Sequence, residues 1–524
     1  MKEDKFLKVM EENVDKWLKA QLNINVFGNN LSKTLDYLSI LYKEERDELQ
    51  CFLNGIPDEK PNISFNNGFS IFTLIGDNKQ GYGCARSARD SFPKNASLLG
   101  KLMQESLDLA TKSAISFYLT AVGKNVIYDE DLFVKLSKET SETFLSKSSC
   151  NLKVDDSVRK MVKDFTEEMY SSGTVNESDG VIHIINGSNR FVDSEGRKIR
   201  EPRKLGTIGL EGKFNHSNGS LLTHFDNFVF TNKVDSEKLK KVMQNFYETV
   251  NELKVASIPV SKQYPVIFGG SALGTMIHEA LGGHLLSGRY IQNKISTVFK
   301  NRIGSLVLPE FMTIIDNPQL KDSFGFYLFD DEGVASKKTV LIKDGILQNY
   351  LLDRCSANYF GMNSNGHSRM EWVCRQSEDN PGVIVPEPRV SNLEIISSNC
   401  VSEKELDQIV QDHCKKVNEE CALYIEAGNG EVDIQTSEFR MFPSKAYKLF
   451  PDGKKEPIHN FMIIGNAYEL LQQIVVTSNK LATTYGICGS SSGGIQTQEI
   501  APSAFIPTVN IQAIESVKLK KRLI

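Results

Sequence analysis

No stretch of the 524 residues is apolar for long enough to cross a membrane as a helix. The longest largely apolar, uncharged run, residues 266–277, has 12 residues, where a spanning helix needs about 20. Net positive charge is also lacking. The 61 Lys and Arg residues against 66 Asp and Glu leave a formal charge of −5, which supplies no general field for nucleic acid or an anionic bilayer. Cysteine is thinly spread: Cys51, Cys84, Cys150, Cys355, Cys374, Cys400, Cys414, Cys421 and Cys488 make an odd total with no CxxC pair. That spacing argues against a disulfide framework and leaves room for a single functional thiol. The first residues, Met1-Lys2-Glu3-Asp4-Lys5, are not the basic start of a secretion signal. Phe6, Met10, Val14, Trp17 and Leu18 then recur at helical spacing. A cytoplasmic location is expected, with neither membrane nor nucleic acid as partner.

What is present is ordinary globular composition. Hydrophobic residues make up 40% and charged residues 24%, which excludes disorder as the main state and allows two to four domains. The N-terminal part reads as a helix to about residue 22, a second apolar-periodic stretch over residues 35–53, a strand pair at residues 69–75 and 81–85, and a helix over residues 96–111. Short apolar runs separated by Asn/Gly/Ser clusters then suggest sheet up to residue 235. A charged helix over residues 236–255 ends at Ser257-Ile258-Pro259, the best candidate boundary. The expected architecture is α+β in two halves. Residues 1–255 form a mixed α/β layer domain, and residues 256–524 a β-rich domain carrying a glycine-initiated helix at residues 270–281. Strands are expected at residues 264–268, 339–342, 382–385, 461–464 and 504–511, and helices at 403–418 and 466–478. No period repeats through the chain, and the basic tail Lys518-Leu519-Lys520-Lys521-Arg522 reads as a solvated end.

The sharpest local signal is His278-Glu279-Ala280-Leu281-Gly282-Gly283-His284. A helical His followed by Glu lets imidazole ligate Zn²⁺ while the carboxylate works on water. The second His is six positions on, about 120° around a regular helix, so a continuous α-helix cannot point both rings at one ion. The adjacent glycines offer a turn from which His284 could reach back. A third ligand must come from elsewhere: His183, His216, His224, His367, His413, His459, the run Asp330-Asp331-Glu332, or a cysteine. Cys488, in Gly486-Ile487-Cys488-Gly489, could expose a thiolate on a flexible turn. Asp330-Asp331-Glu332 reads more naturally as a hydrogen-bonded turn, His183 as a sheet residue, and Arg354 and Arg369 as partners either of these acids or of a substrate carboxylate. Gly489-Ser490-Ser491-Ser492-Gly493 fits GxSxG, but no helix pattern and no His follow it. Gly269 to Thr275 lacks the lysine of a phosphate loop.

These residues fall in an order that resembles the TldD/PmbA family of metallopeptidases. The blocks are Tyr264-Pro265-Val266, Gly274 through Ala280, Asp330 through Gly333, Thr339 through Gly345, Tyr350 through Arg354, Gly366 through Arg369, Pro386 through Asn392, Phe461 through Leu471 and Gly486 through Gly489. The resemblance covers the C-terminal half and, more loosely, residues 68–85. It implies a zinc-dependent peptidase of the metal-bearing, TldD-like type. Carried over, the metal ligands are His278, His284 and Cys488 and the general base is Glu279. It also implies an unstructured peptide substrate, including leader or precursor segments, bound as an added strand, and a homodimer or a heterodimer with a TldE/PmbA-like subunit. This chain departs from the family in its HExxxxH spacing, one residue longer than HExxxH, and in Leu285-Leu286-Ser287-Gly288-Arg289, where the family carries an acidic residue. Two alternatives therefore stand beside the peptidase: a non-catalytic PmbA-like interaction subunit, and a hydrolase using Cys488 with a nearby His.

Overall fold

The computed structural model describes residues 4–26, 29–77, 81–124, 135–148, 150–282, 284–374 and 382–514. Two sheets organise the chain. The first runs in the order Leu221–Phe230, Lys198–Asn215, Glu177–Asp193, Tyr37–Leu53, Asn62–Asp77, Gly81–Asp90, antiparallel throughout, with two short strands added at its sides. Alternation of buried and less buried residues from Glu177 to Arg190 shows why the strand forms: every second side chain faces helices packed on the sheet. The helix Lys5–Leu18 begins at Asp4, whose carboxylate accepts the Phe6 and Leu7 N–H groups, and buries Leu7, Met10, Val14 and Trp17. With the helix Ala96–Lys124 it covers one end of the sheet. Helices Asp156–Ser171 and Ser236–Leu253 cover the other.

The second sheet has twelve strands. Five of them close on themselves: Lys262–Phe268 pairs with Ala422–Val432, which pairs with Glu438–Leu449, then Phe461–Asn466, then Gly493–Ala513, which returns to Lys262–Phe268. This small barrel leaves no free edge on its own strands. Its long strand Gly493–Ala513 continues beyond the barrel to pair with Val476–Ser490 and with Asn392–Ser397. Ile267, Phe505 and Leu449 face the helix Glu403–Val417, which is closed at one end by a Ser402/Glu405 capping box and at the other by Asn418 at φ 59°.

Several expectations are corrected. The stretch at residues 35–53 is one 17-residue strand, Tyr37–Leu53; its apolar residues fit both periods, and pairing on both sides decides for sheet. The helix expected over 466–478 stops at Gln472, and Val476 begins a strand. Residues 382–385 form only an isolated bridge, Cys374 to Val383. Cys488 lies inside the strand Val476–Ser490 and is buried, not on an exposed turn. Among the described residues no cysteine is joined in a disulfide. Gly283 and the tail Lys518 to Arg522 lie outside the described residues. Among those described, no helix is long and apolar enough to cross a membrane.

The two sheets are stitched together by buried polar contacts. Lys43 pairs with Asp331 at 2.9 Å and donates to the Met370 carbonyl at 2.7 Å. Glu201 accepts the Leu328 and Phe329 N–H groups at 2.7 and 3.1 Å. Arg354 reaches Glu195 at 2.8 Å and the Ser137 carbonyl at 2.6 Å.

Candidate metal centre

The chain leaves the barrel at Phe268 and turns into the helix Gly270–Ile277. That helix lies directly on the long strand because two of its residues are glycine. A Cβ on Gly270 would stand 2.3 Å from the Ala501 carbonyl oxygen, and one on Gly274 would stand 2.9 Å from the Glu499 Cβ. Residues four apart share a helix face, so His278, one turn after Gly274, is carried over the same strand.

At His278 the winding changes. Residues His278–Gly282 form a single π-helical turn, and the widened geometry persists where Leu286 N–H bonds to the Leu281 carbonyl at 2.9 Å, five residues back. A π-turn holds one more residue than an α-turn and resets the phase of everything after it. The longer His–His spacing is housed in this way, not by a left-handed turn at Gly282, which is absent from the positive-φ residues. His284 Nε2 comes to 4.0 Å from Cys488 Sγ.

His278, His284 and Cys488, drawn from two distant segments, thus converge, and all three are buried. Burial alone would raise the Cys488 thiol, but the charge of His278 and hydrogen bonds from His278 and His284 hold it well below its ordinary range. The reciprocal effect appears at His278. Burial disfavours its charge, but the neighbouring Cys488 and Glu499 raise it well above the usual imidazole value. The two shifts agree in direction: each group favours the charged form of the other. Glu279, half-buried, is raised chiefly by burial; His278 and His284 work against the shift, Cys488 and Glu499 with it. Its side chain occupies a slot that exists because residue 430 is glycine, where a Cβ would lie 2.9 Å from Glu279 Cγ.

Two supports were not legible as site residues in the sequence. Glu499, on the long strand, accepts a hydrogen bond from His278 Nδ1 at 2.7 Å, leaving Nε2 for the centre and setting the ring's orientation. A strand buried almost continuously around Glu499 carries no periodic signal for such a role. Arg389, fully buried, donates to Ser490 and Ser492 Oγ at 2.6 Å each, to the Gly493 carbonyl at 3.1 Å and to the Cys488 carbonyl. It clamps the hairpin that follows the cysteine. Glu387 accepts from Ser490 at 2.9 Å and from Tyr290 at 3.2 Å, and the Tyr290 ring stacks on His284.

The other candidate ligands are engaged elsewhere. His367 is held by Asp316 at 3.1 Å and by Asn365. His216 contacts His459 and the Ala256 carbonyl. His224 and His413 lie against Phe246 and Phe505. His183 sits on the first sheet beside Asp47. Asp330 accepts N–H groups of Glu332, Val334 and Ser368, the hydrogen-bonded turn expected.

The donor set suits zinc. Two imidazoles and a thiolate are the ligand types of catalytic zinc sites, and His284 Nδ1 is a buried polar atom with no hydrogen-bond partner among the described residues. Among the described residues no three ligating groups yet enclose one point. The 4.0 Å between His284 Nε2 and Cys488 Sγ is a few tenths of an ångström wider than the about 3.6 Å that nitrogen and sulfur keep on one tetrahedral zinc.

The chain is similar in sequence and fold to known proteins. Residues 261–513 match the family described as PmbA/TldA metallopeptidase C-terminal domain. A metalloprotease TldD homolog of Buchnera aphidicola subsp. Acyrthosiphon pisum is 31% identical over 293 residues, 54% of this chain and 55% of its own length. One from Haemophilus influenzae is 23% identical over 504 residues, 94% of this chain and 96% of its own. The match thus spans about half of the first relative and nearly all of the second. TldE from Thermococcus kodakarensis superposes with a TM-score of 0.62 at 17% identity, covering 96% of this chain and 100% of that one. At that identity the likeness establishes the fold.

Proposed function

We propose, for a chain that belongs to the PmbA/TldD family, that it is a zinc peptidase acting on short or unstructured peptides, including leader segments of precursors. His278, His284 and Cys488 would hold the metal, which when bound supplies Lewis acidity and lowers the pKa of its water. The observation that carries the reading is the convergence of the Cys488 sulfur with two histidines at the π-turn.

Glu279 would take the proton of the attacking water. A carboxylate raised by burial is a stronger base than a solvated one, and the two histidines beside it favour its charged form. Glu499 fixes the His278 ring, and Arg389 holds the Cys488 hairpin still. Water attacks the peptide carbonyl directly, so no acyl-enzyme forms. We also propose that the chain divides near residue 256, that it resides in the cytoplasm, and that it works as a dimer, with itself or with a TldE-like subunit. Glu279→Gln should abolish peptide cleavage while zinc is retained; unchanged turnover would overturn the role given to Glu279.

One observation favours a second reading. His278 lies between the Cys488 sulfur and the Glu499 carboxylate, the order nucleophile, base and orienting acid of a cysteine hydrolase. Chelation separates the two: a cysteine hydrolase keeps its activity, whereas the zinc peptidase loses it and recovers on zinc addition.

A further inference from the structure

Between the two sheets lies a cavity of about 700 Å³, within the range of ligand sites. Its walls carry many charges, and most are already matched. Lys43 is neutralised by Asp331 at 2.9 Å. Arg203 is matched by Glu45 at 2.9 Å and bonded to Gln496 Oε1 at 2.6 Å. Glu201 is occupied by two backbone N–H groups. Arg354, the other arginine the sequence left open between acid and substrate, does not line this cavity and is committed to Glu195 at 2.8 Å.

Arg369 differs. Its guanidinium stands over the Tyr327 ring at 4.6 Å and, among the described residues, donates only to main-chain oxygens, of Gln496 at 3.2 Å and Val390 at 3.4 Å. Among the described residues no carboxylate is in ion-pair contact with it. Burial pulls its pKa down, Tyr327 and the already paired Asp331 oppose this, and Arg203 and Arg389 pull the same way as burial. The ring and the two carbonyls hold the fork in place, which removes much of the entropy a free arginine loses on binding.

The position of this cation relates it to the metal centre. Gln496, whose carbonyl Arg369 grips, follows Ile495, and Ile495 faces Cys488 directly across the hairpin. Strand spacing puts the backbones of Gln496 and Cys488 about 6 Å apart. We infer that Arg369 is a carboxylate anchor, so that the cavity takes a peptide whose carboxylate sits on this guanidinium and whose chain runs two or three extended residues to the metal centre. The cavity's Phe324, Tyr327 and Phe329 favour aromatic or apolar side chains on that peptide. This rests on the peptidase reading and adds to it a substrate class: short peptides read from a carboxylate.

The carboxylate can be the chain terminus or an acidic side chain, and three pentapeptides separate the two. They are Ala-Phe-Ala-Phe-Ala with a free terminal acid, the same peptide as its terminal amide, and the amide with Glu at the central position. Each is titrated calorimetrically into the intact Glu279→Gln chain, which cannot turn them over. The acid should bind at least tenfold more tightly than the plain amide, the strength of one bidentate arginine–carboxylate contact. Arg369→Gln should erase that preference, and Arg369→Lys should restore part of it, with melting temperatures confirming that both variants fold. Tight binding of the Glu-containing amide assigns the anchor to any carboxylate, and weak binding assigns it to the terminus. Equal binding of all three peptides, no binding of the acid, or a preference that survives Arg369→Gln overturns the inference. The readout needs no catalysis, so a failure of the peptidase reading shows separately, as absent cleavage in the parent chain.

Discussion

Glu499 lies 2.7 Å from Nδ1 of His278, and the two residues are 221 positions apart in the chain. A carboxylate on the far nitrogen of a metal-binding imidazole fixes its tautomer and raises its basicity; such partners are worth 10- to 100-fold in metal affinity. Glu499→Gln should therefore weaken zinc binding by that factor, measured by competition with a chromophoric chelator, while the melting temperature of the metal-free chain changes little. Unchanged affinity would remove Glu499 from the site.

Gly430 tests the placement of Glu279 without touching a ligand. A methyl group at residue 430 would press on Glu279 Cγ at 2.9 Å and on Thr275 Cγ2 at 3.3 Å, displacing the carboxylate or the strand. Gly430→Ala should keep its metal and lose peptide turnover by a factor of ten or more, at a stability cost of about 1–3 kcal/mol. Full activity with intact metal would show that Glu279 does not depend on this slot.

Arg389 makes four contacts to the hairpin after Cys488. Arg389→Ala leaves buried oxygens without donors and should cost about 3 kcal/mol, read by denaturant unfolding. Arg389→Lys should recover less than half of this, because an ammonium is a point charge and cannot span the serines and carbonyls together. A lysine variant as stable as the parent would contradict the clamp.

His224 predicts acid sensitivity. Burial lowers its pKa to about 4 from 6.5, with Lys445 adding in the same direction. The folded state therefore prefers the neutral ring. The corresponding stability is complete above pH 6.5 and is lost progressively as pH falls toward 4, by up to about 3 kcal/mol at 1.36 kcal/mol per unit. His224→Phe, which keeps the contact with Phe246, should flatten the stability profile in that window. An unchanged profile would place the acid-sensitive group elsewhere.

Much of the centre could be read from residue order, and the reasons are local. His278 followed by Glu279 is a motif at fixed offsets, and Cys488 stands in a recognisable block, so both survive as patterns. The convergence of His284 could not be derived from helical arithmetic, because the winding changes at His278 itself and an α-periodic wheel assumes it does not. Glu499 and Arg389 act through partners about 100 or 200 residues away, and no local period encodes a long-range contact.

The fold divides along the same line. Amphipathic helices such as Ser236–Leu253, and alternating strands such as the one containing His183, follow their own periodicity. The barrel depends on Lys262–Phe268 meeting Gly493–Ala513 across the whole C-terminal half, a pairing set by topology. Residues 35–53 show the limit from the other side: their apolar residues suit a helix as well as a strand, and neighbours on both edges decide.

The central claim is that His278, His284 and Cys488 hold one metal despite the lengthened motif. Elemental mass spectrometry of the purified chain should find about one zinc per chain, absent from folded His278→Ala, His284→Ala and Cys488→Ala variants. Zinc retained in His284→Ala alone would contradict the role given to the π-turn, and a parent chain that takes up no zinc when it is supplied would contradict the metal centre itself.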